Sequence, residues 1–192
     1  ICRALLARGV DINLGTFEGY SPLHAASNEG HTNVARFLID AKADLNKVDS
    51  NKQTPIVLAA GQGHAKIVRL LAQAGVKVDT ATRISTANQD EGGETTLHRA
   101  CEKGHAEMVG LLLDMDSTGE MVNSATGQGR TPLIVASEEG QLEVVNILLS
   151  KGADVSMTTN AGKTALYMGC ERGHVQVCKT LLEHGADPGQ AS

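Results

Sequence analysis

One short signal returns five times along this chain and limits what it can become. It reads Ser21-Pro22-Leu23-His24, then Thr54-Pro55-Ile56-Val57, Thr95-Thr96-Leu97-His98, Thr131-Pro132-Leu133-Ile134 and Thr164-Ala165-Leu166-Tyr167. Successive copies lie 33, 41, 36 and 33 residues apart. A hydroxyl residue that can cap a helix, followed by proline in the first turn where a missing N–H costs nothing, marks a helix start. The stretch from Thr131 to Leu149 illustrates one unit. A short apolar helix stops at Gly140, a residue able to take the left-handed conformation that ends helices. A second helix carries Leu142, Val145, Leu148 and Leu149 at helical spacing, and Gly152-Ala153-Asp154 closes the unit. Neither helix is long enough to persist alone, so each unit has to stack on its copies.

Composition agrees with thin stacked layers. Hydrophobic residues make up 41% of the chain, yet two Phe, two Tyr and no Trp leave little for a bulky globular centre. A core of Ala, Leu, Val and Ile suits close-packed helices. The net charge of −5 argues against a nucleic-acid surface, which shows a basic patch. No apolar run approaches the roughly 20 residues of a membrane helix. The cytoplasm is the expected compartment, with the nucleus as an alternative.

The period, the Thr-Pro-Leu-His-like starts and the pairs Gly30-His31, Gly63-His64, Gly104-His105 and Gly173-His174 resemble the ankyrin repeat. The exits Gly152-Ala153-Asp154-Val155 and Gly185-Ala186-Asp187 fit the same pattern. The resemblance implies an all-α repeat fold, an ankyrin solenoid of stacked helix-turn-helix units joined by β-hairpin-like loops. Residues 1–15 read as a partial repeat, a second helix without its first. Full repeats occupy 16–48, 49–89 with a long inserted loop, 90–125, 126–158 and 159–192, the last with a tail. The partial first unit and the absence of polar terminal units lead us to expect a fragment of a longer array. The insertion from Thr80 to Asp90 reads either as a tolerated polar loop or as a finger carrying Arg83 and Ile84 over the binding face. Departures fall in three units: Lys52 stands at a glycine turn position, Thr96 and Ala165 stand where proline is expected, and Gly169 lies inside the last first helix, where glycine weakens it.

Catalytic motifs fail one by one. Ala161-Gly162-Lys163-Thr164 looks like the end of a phosphate-binding loop, but Met157 stands where its first glycine is needed. Cys101 and His105, like Cys170 and His174, have a metal-like spacing without the convergent four-ligand set of a zinc site. Cys101 and Cys170 share a small-residue slot with Ala60 and Ser137, and Cys2 and Cys178 an apolar slot with Val145, so all four are expected as reduced core residues. The resemblance makes the histidines ties between neighbouring turns. No catalytic residue, cofactor or metal is therefore expected, and the chain is not read as an enzyme.

Binding remains, and the resemblance implies a concave face built from hairpin tips and the exposed ends of first helices. Carried over by position, that face offers Phe17, Glu18 and Tyr20 with Asn28 and Glu29, then Asn51 and Gln53 with Gln62. Next come Glu91, Glu94, Glu102 and Lys103 with Arg99 within reach, then Gln128, Arg130, Glu138 and Glu139, and finally Lys163, Glu171 and Arg172. Phe17 and Tyr20 fall on one tip, as binding anchors or as packing for a preceding repeat. Arg99 aside, these positions hold eight carboxylates against four cations. The expected role is a protein-interaction scaffold binding another protein, through a basic or mixed-charge segment, as a monomer, with no nucleic acid and no membrane. The alternatives are a targeting arm of a larger enzyme or channel whose catalytic part lies outside, and a structural spacer with no dedicated ligand.

Overall fold

A computed structural model describes residues 11–76 and 94–190. They fall into two compact units, one on each side of residues 82 and 83. Ten α-helices and one 3₁₀ turn occur among the described residues, and the β-like structure there consists of isolated bridge positions, including a pair between Thr158 and Thr164 and one at Glu94.

The first unit contains α1 (Pro22–Asn28), α2 (Thr32–Asp40), α3 (Pro55–Gly61) and α4 (Ala65–Gln73). Here α1 packs on α2 and α3 on α4, while α1 also meets α3 and α2 meets α4. First helices thus line up with first helices and second with second. Leu23, Ala26, Ile56, Ala59, Ile67, Val68 and Leu71 fill the space between the layers, each at most 3% exposed. The many alanines let the short helices approach closely.

The second unit repeats the arrangement with α5 (Thr96–Glu102), α6 (Ala106–Met115), α7 (Pro132–Glu138), α8 (Leu142–Ser150), α9 (Ala165–Glu171) and α10 (Val175–Glu183). The first helices α5, α7 and α9 pack in a row, as do α6, α8 and α10. Leu97, Met108, Leu112, Leu133, Ile134, Leu148 and Leu181 form its core. The α8 face differs from the one that spacing predicts. Val144, Val145 and Leu148 are buried, whereas Leu142, in the first turn, is 37% exposed and Leu149 is only half-buried.

The caps explain where helices begin. Ser21, Thr95, Thr131 and Thr164 accept a hydrogen bond from the backbone N–H three residues on, and Pro22, Pro55 and Pro132 occupy the first turn. Thr54 makes no such bond. At Ser21 and Thr95 the cap is reciprocal, because His24 and His98 reach back with Nδ1 to the cap N–H at 3.1 and 3.2 Å. Their Nε2 atoms then hydrogen-bond the carbonyls of Gln53 (3.0 Å) and Arg130 (2.9 Å), one repeat ahead. A second set points one repeat back. The Nε2 atoms of His64 and His174 meet the carbonyls of Asn28 (3.0 Å) and Glu138 (2.9 Å), and Gln141 Nε2 donates to Glu102 O at 3.2 Å. The expectation that these histidines tie turns to backbone is met. At Gly140 the φ of 71° ends α7, and an added Cβ would lie 2.5 Å from His174 Nδ1, so the tie itself requires glycine there.

Lys52 adopts φ 57° at the hairpin turn, where an L side chain is strained. Lys52→Gly is expected to stabilise residues 11–76 by about 1 kcal/mol, the strain relieved minus the extra entropy of glycine in the unfolded chain. Urea denaturation followed by circular dichroism checks this, and an unchanged midpoint counts against it.

Candidate functional site

The described hairpin tips are tight turns. Thr126 N donates to Arg130 O (3.0 Å) and Gly129 N to Thr126 O (2.8 Å), and Thr159 N to Lys163 O and Gly162 N to Thr159 O repeat this. Neighbouring tips are then locked edge to edge. Asn160 donates from its backbone to Gln128 O and from its amide to Gly127 O, both at 2.9 Å. Gly129 is needed for that approach, since a Cβ there would meet Asn160 N at 2.9 Å.

Between these tips and the starts of α7 and α9 lies a groove of about 460 Å³, lined by Gln128, Arg130, Ile134, Glu138, Thr159, Asn160, Ala161, Lys163 and Met168. Its origin lies in one substitution of the repeat. At the slot three residues after the cap, His98 bridges from α5 to the next tip and leaves a void of about 30 Å³ beside Glu94, Thr126 and Gln128. The same slot after Thr131 holds Ile134, which has no hydrogen bond to offer the tip of residues 159–163. The space stays open with an apolar floor.

The rim is charged and internally matched. Glu138, whose side chain is 12% exposed, receives Arg130 Nη2 at 2.6 Å and Arg172 Nη2 at 2.8 Å, one on each carboxylate oxygen. Burial pushes its carboxyl upward, but the Arg172 hydrogen bond and the nearby Arg130 charge outweigh it and hold it below the usual range. Lys163 Nζ sits 3.1 Å from both oxygens of Glu171 and 4.9 Å from the centre of the Tyr167 ring. Glu94 and Arg99 approach to 3.9 Å. Of the eight carboxylates counted on the expected face, Glu94, Glu138 and Glu171 are thus paired in place.

Of the expected face, Gln128, Arg130, Glu138 and Lys163 line the groove, with Arg172 and Glu171 one ion pair away. Glu139 is exposed outside it, and Glu102 and Lys103 are exposed at the end of α5. Ile134, Thr159, Ala161 and Met168 are additions that the sequence reading misses. Their signal is nonetheless present: a non-histidine at the slot of His24 and His98 marks where the tip loses its bridge.

In the first unit Phe17 is fully exposed, and Glu18 beside it is exposed with its carbonyl accepting from Ser50 N at 2.8 Å. Tyr20 is half-buried and stacked on His24, ring centres 5.4 Å apart. Burial, then the Glu29 and Asp49 charges, raise its phenol pKa. Asn28 donates to Glu29 (2.8 Å) and accepts from Gln62 (3.3 Å). Asn51 and Gln53 both donate their backbone N–H to Asp49 Oδ1, which folds this tip around a buried carboxylate. Glu91, Arg83, Ile84 and the Thr80–Asp90 insertion lie outside the described residues, as does Cys2. Cys101 is buried as expected, while Cys170 is exposed and Cys178 half-buried, so the core reading fails for Cys170.

Among the described residues no cluster of three metal-ligating side chains occurs, and no helix is long and apolar enough to cross a membrane. A family profile described as ankyrin repeats in three copies matches residues 1–82 and 81–159, and one for a single ankyrin repeat matches 161–192. The chain is 38% identical over 152 residues to the human transient receptor potential cation channel subfamily A member 1, covering 79% of this chain and 13% of the channel. It is 28% identical over 151 residues to mouse NF-kappa-B inhibitor zeta, covering 77% of this chain and 19% of that protein. It is 31% identical over 152 residues to the chicken nuclear factor NF-kappa-B p105 subunit, covering 78% of this chain and 15% of that protein. The chain therefore spans less than a fifth of the length of these relatives.

Proposed function

Because the chain belongs to the ankyrin-repeat family, whose domains are generally non-catalytic interaction modules, we propose that it is a scaffold that binds a segment of another protein. The observation that carries this is the groove over Ile134 and Met168. Its apolar floor takes one aliphatic side chain. Its rim of paired charges, Arg130, Arg172 and Lys163 with Glu138 and Glu171, suits flanking residues of both signs, so the partner segment is of mixed rather than simply basic charge. The scaffold acts as a monomer in the cytoplasm or nucleus.

The test is a display library of natural protein segments selected against the chain. Ala161 is exposed on the groove wall, so Ala161→Trp fills the groove without entering the core. Selected segments are expected to bind this variant at least about tenfold more weakly, a loss of about 1.4 kcal/mol. Gln176→Ala, exposed on α10, leaves binding unchanged. Equal binding to the Trp variant, or no enriched segment at all, sinks the reading and favours a spacer. A second reading makes the chain an arm of a longer channel, supported by the match to a fraction of the human cation channel. The groove serves either parent.

A further inference from the structure

The last repeat combines, at three positions that lie together, residues that no earlier repeat combines. Its first helix carries Gly169 where the earlier repeats have Ala26, Ala59, Ala100 and Ala136, and Cys170 where they have Ser27, Ala60, Cys101 and Ser137. Its second helix carries Cys178 in the slot of Ala35, Val68, Val109 and Val145. The result is a pair of neighbouring sulfurs: Cys170 Sγ lies 3.1 Å from Cys178 Sγ, across the hairpin between α9 and α10. Cys170 is exposed and Cys178 half-buried. Cys101 supplies the contrast within the same chain. It occupies the Cys170 slot in an earlier repeat whose second helix carries Val109 in place of a cysteine, and it is fully buried.

We propose that Cys170 and Cys178 form a redox-active dithiol, a modification site at which a peroxide converts the pair to a disulfide that pins α9 to α10. The contact lies wholly within one repeat. Closing from 3.1 Å to a bond of about 2.05 Å requires the sulfurs to approach by about 1 Å. The methyl group missing at Gly169, whose Cβ would sit 3.4 Å from Cys178 Sγ, leaves room for that movement.

The chemistry balances in two steps. Peroxide oxidises the exposed Cys170 thiol to a sulfenic acid, its O–O bond breaking and one water leaving. The Cys178 sulfur then attacks the sulfenic sulfur; the S–S bond forms, the S–O bond breaks, and the departing hydroxide takes the Cys178 proton as a second water. Two thiols are oxidised and one peroxide is reduced. Burial and the Cys170 contact push the Cys178 thiol up to about 11, so the second step accelerates as the solution becomes more alkaline.

The test treats the reduced chain with hydrogen peroxide, in the presence of dimedone to trap sulfenic acid, and maps the products by mass spectrometry. In the unaltered protein the expected product is an intramolecular Cys170–Cys178 link, lighter by two hydrogens, with Cys101 recovered as a free thiol after denaturation. In Cys178→Ser the sulfenic acid at Cys170 has no second sulfur to meet, and its dimedone adduct is expected to rise at least about tenfold over the unaltered chain. Equal dimedone labelling in both proteins, a link between two chains, or a link involving Cys101 overturns the proposal.

Discussion

Acidifying the protein from neutrality to about pH 4 is expected to weaken residues 94–190 by about 3 kcal/mol, through one histidine. His98 is completely buried. Its Nε2 carries the hydrogen, because the Arg130 carbonyl at 2.9 Å can only accept, and its Nδ1 is bare, because the Thr95 backbone N–H at 3.2 Å can only donate. Protonation would place a buried charge beside Arg130 and set two donors against each other at Thr95. Burial therefore drives the pKa down from 6.5 to about 4. The unfolded chain takes up its proton at the higher value and the folded chain only at the lower. Between them the unfolded state binds more protons, so stability falls as pH falls, by about 1.4 kcal/mol per pH unit. The depressed carboxyls of Glu138, Asp116 and Asp154 give the same sign, their loss beginning as pH falls through the usual carboxylate range at the foot of the histidine window and continuing below it. Denaturant melts across this range read the slope directly. His98→Leu is expected to be less stable at neutral pH and to lose most of the slope; a flat profile in the unaltered protein, or the same slope in the variant, refutes the account. His24, also lowered by burial, adds an effect of the same sign in residues 11–76.

Leu148→Ala is expected to cost about 2–5 kcal/mol, whereas Leu142→Ala changes stability by about 0.5 kcal/mol or less. Both leucines sit on α8. Leu148 is 0% exposed in a helix packed on α6, α7 and α10, so its truncation leaves a cavity with nothing free to fill it. Leu142 is 37% exposed in the first turn. Urea midpoints of the two variants at matched m-values settle the contrast, and comparable losses from both would mean that the α8 face has been misplaced.

Those two leucines show how far the sequence can be read. The period and the caps at Ser21, Thr95, Thr131 and Thr164 come from local chemistry, the ties at His24, His64, His98 and His174 come from the family resemblance, and the structure holds each of them. Thr54 lacks its bond although its sequence context is the same, so a capping residue type does not ensure a cap. Spacing draws the α8 face too wide because it cannot say how many neighbours a helix has; with α6, α7 and α10 around it, Val144 is enclosed while Leu142 is left at the end. The groove is hidden for a different reason. Ile134 and Met168 look like core along the sequence, and they are nearly buried; only the missing histidine bridge turns them into a floor. The pairing of charges is hidden from a count by distance along the chain. Glu138 is matched by Arg130 at eight residues and Arg172 at 34, pairings a linear tally cannot see.

The ties between repeats have one more consequence, concerning how such an array can diversify. In every pair the donor is a particular side chain, His24, His64, His98, Gln141 or His174, but the acceptor is a backbone carbonyl, of Gln53, Asn28, Arg130, Glu102 or Glu138. A carbonyl is supplied by any amino acid. The side chains of Gln53, Arg130 and Glu102 are therefore not needed for these joints, while those of Asn28 and Glu138 add bonds of their own to Gln62 and Arg172 in the next repeat; all five positions belong to the face expected to meet a partner. The architecture places this duty on the main chain, so at Gln53, Arg130 and Glu102 the surface can change its ligand while those seams hold.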